Sequence, residues 1–118
     1  MAKNRMARIE EELKRALAGI IRTEVKDDRL SEIVGVTKVD VTNDLKYAKI
    51  YTSVFDTEKK RGSSIDALNH AASFIRTKLA HSVDIRRVPE LTFILDDSVE
   101  YGIKISQLLE GEKRKGEQ

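Results

Sequence analysis

Arg86-Arg87-Val88-Pro89-Glu90-Leu91-Thr92-Phe93 carries a basic pair through the chain's only proline into a strand-like run. Proline disfavours helical geometry in the residue before it, so Val88 leads in extended form into a strand over residues 91–95. Asp96-Asp97-Ser98 then ends the strand. Just upstream, Ile65, Leu68, Ala72, Ile75 and Leu79 recur at helical spacing and predict one apolar stripe. Phe74 breaks that pattern, because at about 100° per residue it falls nearly opposite the stripe. A kink at Ala71-Ala72-Ser73, where small side chains permit close backbone approach, is expected to let Phe74 turn inward. Ser63, with Asp66 three residues on, reads as a capping box with Asp in place of the usual Glu. The polar residues 56–64, with Lys59-Lys60-Arg61-Gly62, are then expected to form an exposed loop.

Further towards the N-terminus, Met6, Ile9, Leu13, Ala16, Leu17, Ile20 and Ile21 recur at spacings of three and four, predicting an amphipathic helix over about 4–23. Val34-Gly35-Val36 and Val39-Asp40-Val41 alternate in phases one residue apart, which reads as one strand with a bulge near Thr37-Lys38. Thr42-Asn43-Asp44 is turn-like, and residues 46–55 alternate in a β-branched and aromatic run, so a hairpin is expected. Val99, Ile103, Leu108 and Leu109 suggest a short closing helix, and the charged, apolar-free residues 110–118 a disordered tail. The order α-β-β-α-(kink)-α-β predicts one domain over 1–109, a two-layer α+β sandwich with a three-stranded sheet.

A chain of 118 residues has room for one modest core and no large enclosed active site. No apolar run approaches the roughly 20 residues needed to span a bilayer, and the polar, basic opening residues carry no apolar signal segment, so a cytoplasmic protein is expected. The absence of cysteine excludes disulfides, thiolate metal sites and cysteine catalysis. His70 and His81 have no nucleophile motif around them, so no catalytic residue is assigned. Asp96-Asp97 with Glu100 lacks the spacing of a calcium loop, and no metal site is assigned either. Nucleotide-binding motifs of the GxxxxGK[ST] and GxGxxG types are missing, and no cofactor is expected.

A net charge of +2 says little about partners, so the placement of the charges matters more. Arg8, Arg15 and Arg22 are seven apart and line up on the first helix, where i,i+3 and i,i+4 pairs with Glu11 and Glu12 offer a solvated-face reading beside a phosphate-binding one. Arg22, Lys26 and Arg29 make the helix exit its most basic part, diluted by Asp27 and Asp28. Arg76, Lys78, His81, Arg86 and Arg87 gather around the second half of the kinked helix and the connection to the last strand. Guanidinium groups bind phosphates bidentately and stack on splayed bases, so the two groups are the candidate RNA-binding residues.

The run Arg86 to Phe93, the upstream Ser73-Phe74-Ile75-Arg76, and Asp44-Leu45-Lys46-Tyr47-Ala48-Lys49-Ile50-Tyr51 stand together in an order and spacing that closely resembles the bacterial ribosome-binding factor A family over about residues 6–109. The resemblance implies a type-II KH-like fold in which an interhelical kink, typically Ala-x-Gly, replaces the usual GxxG phosphate clamp; the chain has no GxxG, and Ser73 stands at the glycine position. It also implies a non-enzymatic assembly factor that binds ribosomal RNA on the immature small subunit, and because no heptad seam or leftover apolar stripe demands a partner, a monomer is expected. Such a factor assists late maturation and RNA end processing and supports growth in the cold. Two rivals from other classes are a protein-interaction module using a helix face or sheet edge, and a small hydrolase, against which the missing catalytic constellations count.

Overall fold

The computed structural model describes residues 2–97, with side chains from Arg5 onward. The expected closing helix and the tail over 110–118 lie outside the described residues. Helix α1 (Ala2–Glu24) buries Leu13, Leu17, Ile20 and Ile21, with Met6, Ile9 and Ala16 packed half-buried beside them. Each fully buried aliphatic side chain contributes about 1.5–3 kcal/mol relative to exposure, and that face holds α1 against the sheet and a later helix.

Strands β1 (Val34–Val41) and β2 (Tyr47–Val54) form the expected antiparallel hairpin. Their register shifts between Val36 and Lys38, which is the bulge that the two phases of alternation demand. The displaced Thr37 hydroxyl donates to the Asp96 carboxylate, so the bulge is tied to the chain leaving the last strand. In the hairpin turn, Asp44 Oδ1 accepts from the Thr42 hydroxyl (2.7 Å) and the Lys46 N–H (3.0 Å). Leu45 takes a left-handed φ of 61°, unusual for a side chain of its size, while packing half-buried against the core.

Strand β3 (Glu90–Leu95) pairs in parallel with β2, Tyr47 opposite Glu90 through Thr52 opposite Leu95, giving the sheet order β1-β2-β3. A parallel pair needs a long crossover, supplied here by α2 (Glu58–His70) and α3 (Ala72–Ser82). Helices cover one face of the sheet, where Ala48, Ile50, Thr52 and Val54 are buried, while Tyr47 and Lys49 are exposed on the other. Among the described residues the result is the two-layer α+β sandwich, with three helices and three strands.

Two expectations are corrected. The polar residues 58–64 are not a loop: α2 begins at Glu58, capped by Thr57, whose hydroxyl accepts from the Lys60 N–H at 3.2 Å. Ser63 lies inside the helix, its hydroxyl within bonding reach of the Lys60 and Arg29 carbonyls. Ser64 is wholly buried, accepting from the Ser31 N–H (2.8 Å) and donating to the Arg29 carbonyl (3.2 Å). The first turns of α2 thus pack on a polar loop rather than an apolar core, and apolar periodicity begins only at Ile65. The second correction concerns Phe74: the helix does break, at Ala71, but the ring stays 45% exposed.

Candidate nucleic-acid interface

The break between α2 and α3 is one residue long. Ala71 sits at φ −89°, ψ 6°, yet its N–H still donates to Ala67 O (3.0 Å) and its carbonyl accepts from Ile75 N (2.9 Å). The helix is therefore interrupted without orphaning a backbone group at Ala71. Among the described residues only Leu45 has a positive φ outside glycine, so Ser73 needs no glycine-like backbone; its carbonyl accepts from the Thr77 hydroxyl at 3.1 Å. The last turn of α2 is fixed to the sheet by Asn69, whose amide donates to Phe93 O (3.0 Å) and accepts from Phe93 N (2.8 Å).

Helices α1 and α3 lie side by side, and one member of the second basic group reaches the exit of the first helix. Lys78 of α3 approaches Glu24 in the last turn of α1 at 3.9 Å, whereas Ser82 and Val83 flank Ala16 and Arg15, so the helices run antiparallel. Both charged partners are nearly half exposed, and such a pair is worth little in water. Lys78 also holds its ammonium over the Phe74 ring, 5.5 Å from the centroid.

The structure divides the eight candidate cations by what they touch. Arg29 is turned onto its own loop, donating from Nη2 to Asp27 Oδ2 (2.8 Å), from Nε to Oδ1 (3.2 Å) and from the backbone N–H to Oδ1 (2.9 Å). These bonds, the side-chain bond foremost, hold the Asp27 carboxyl down to about 2 and push the Arg29 guanidinium up. Arg76 donates twice to Val88 O, at 3.1 and 2.9 Å, and braces the connection ahead of the buried Pro89. Arg22, Lys26, His81, Arg86 and Arg87 are exposed and make no ion pair with a described residue. Five groups are thus presented to solvent, Lys78 joins the two elements, and Arg29 and Arg76 are scaffold.

Along the first helix Arg8 and Arg15 are exposed, and their expected pairs with Glu11 and Glu12 do not form. Glu10 instead reaches across to accept from the Val41 N–H at 2.9 Å on the outer edge of β1. No group of His, Cys, Asp or Glu among the described residues is placed to hold a metal. Sequence pattern offered no signal for Asn69, whose partner lies on another element, while the off-phase position of Phe74 was a signal of exposure as well as of the break.

Antiparallel and parallel strand pairs in one three-stranded sheet, crossed by two helices that meet at a one-residue break, define a small α+β domain among the described residues. The family model described as Ribosome-binding factor A matches residues 5–109, and the chain belongs to that family. It is 43% identical to Ribosome-binding factor A of Clostridium novyi (strain NT) over 115 residues, 98% of this chain and 95% of that one. The crystal structure of ribosome-binding factor A from Thermus thermophilus superposes with a TM-score of 0.66 at 32% identity, covering 75% of this chain and 93% of that one. A homology model of the Thermus thermophilus factor, fitted into a cryo-EM map of its complex with the 30S subunit, matches at a TM-score of 0.62 and 30% identity over 75% of this chain and 91% of that one.

Proposed function

We propose that the protein binds the immature small ribosomal subunit, holding ribosomal RNA on the surface where the exit of α1, the outer side of α3 and the connection to β3 come together. Arg22, Lys26, Arg86 and Arg87 meet phosphates, with His81 and Lys78 between them. The observation that carries this reading is the division of the cations: the exposed ones lie at the exit of α1, on α3 and on the connection after it, with the Glu24–Lys78 contact joining α1 to α3 and Arg76 tying the connection to α3. Family membership over residues 5–109, and the 30S complex of the Thermus relative, support the ribosome as the target. The factor assists late maturation and RNA end processing, particularly in the cold, acts in the cytoplasm as a single chain, and leaves the mature particle. Its mechanism is binding energy alone: contacts that favour one RNA arrangement shift its population without a covalent step.

Strand addition by a protein partner fits less well. Glu10 occupies the outer Val41 N–H of β1, and Asn69 occupies both backbone groups of Phe93 on β3, so each edge is interrupted where a guest strand would bond.

The test is co-sedimentation with small subunits, large subunits and whole ribosomes across a salt series, comparing wild type with Arg22→Ser/Arg86→Ser/Arg87→Ser. Arg76 is left intact because its loss would disturb the connection itself. Salt-dependent binding selective for the small subunit, lost in the triple variant, is expected. Wild-type protein without small-subunit preference would overturn the reading.

A further inference from the structure

Phe74 is 45% exposed in the first turn of α3, just after the α2–α3 break, while Ile75 and Leu79 of the same helix are buried. On α3 the positions three, four and seven residues later share its side, and these are Thr77, Lys78 and His81. Among the described residues of this helix side the ring is therefore an apolar plane followed by polar and cationic groups, unlike the contiguous apolar patch that a protein interface presents. An ammonium stands 5.5 Å from its centroid, and Arg76 ties the same helix to the segment carrying Arg86 and Arg87. An aromatic plane for a base beside a cation for its phosphate is the pair of contacts one unstacked nucleotide needs.

We infer that Phe74 is a base-stacking residue, seating one unpaired base of single-stranded RNA at the α2–α3 break while Lys78 exchanges Glu24 for the adjoining phosphate. The inference rests on the RNA-binding reading above and specifies its geometry. The half-exposed Glu24–Lys78 pair is weak enough for a phosphate to displace the carboxylate. Duplex RNA offers no free base face except at its ends, so the site discriminates single strands from duplex.

The sequence contains no tryptophan, so Phe74→Trp introduces a single fluorescent reporter at the site. Its emission is expected to fall on titration with a short single-stranded RNA and to change little with the same sequence as a duplex. Phe74→Ala and Phe74→Leu are expected to weaken single-strand binding by about tenfold, the lower part of the range for loss of a base stack, whereas Phe74→Trp retains it. Because the lost contact is uncharged, the salt slope stays that of wild type. The leucine variant keeps apolar bulk without a π-face, and thermal melts matching wild type establish that the variants fold. Equal RNA binding by Phe74→Leu and wild type would overturn the inference and leave the arginine surface intact. A reporter that responds to small subunits but not to RNA would place the ring against a ribosomal protein and overturn it likewise. Wild-type protein that binds neither RNA nor small subunits would overturn both readings.

Discussion

Asn69 acts on β3 as a neighbouring strand would, giving one donor and one acceptor to the same residue, Phe93. Removing both bonds leaves two partly buried backbone groups unmatched, and Asn69→Ala is expected to lower unfolding stability by about 1–3 kcal/mol in denaturant titration. Asn69→Asp keeps the acceptor but sets an oxygen against Phe93 O, and is expected to be no better. A second residue-scale effect concerns acid. Asp27 titrates at about 2 instead of 3.8 because Arg29 donates to it, so its contribution to stability is complete above about pH 4. That contribution is lost as pH falls through 2, and Asp27→Asn is expected to flatten this part of the acid unfolding profile. Neither effect was legible in the sequence. An asparagine in a helix and an Asp-Asp-Arg turn look like ordinary solvated polarity until their partners are placed.

At the scale of elements, the apolar stripes of α1 and α3, the bulge in β1 and the third strand were legible, because each is written in periodicity that burial enforces. The start of α2 was not, since Thr57 caps a helix whose first turns bury serine rather than leucine. Thr57→Ala is therefore expected to cost about 0.5–2 kcal/mol, measurable as a lowered denaturation midpoint, whereas an exposed-loop residue would cost nothing. The break itself depends on Ala71 and is closed by ordinary hydrogen bonds on both sides. Ser73→Gly restores the family's usual residue but adds backbone freedom near the start of α3, an expected loss of up to about 1 kcal/mol with small-subunit binding unchanged.

For the whole molecule, a modest net charge conceals a division between cations that face solvent and cations that brace loops. Composition reveals the first fact and only coordinates the second, which is why the candidate site was legible as a region and not residue by residue. Four cations each meeting one phosphate, as in single-stranded RNA, give a slope of log K against log salt of about −3, Lys78 adding little because it exchanges one anion for another, and Arg86→Ser/Arg87→Ser is expected to halve it. Arg29→Ser is expected to leave the slope as it is. The parallel pairing of β2 with β3 carries a further consequence, in time. The β1–β2 hairpin closes across a short turn, but β3 reaches β2 only after the chain has travelled through α2 and α3. Until that late step, β2 shows a bare edge to every other copy of the chain, so the nascent protein is most prone to self-association just before its last strand docks. Loss of the Asn69 clasp lengthens that interval, and refolding yield at high concentration then falls further than the change in equilibrium stability alone accounts for.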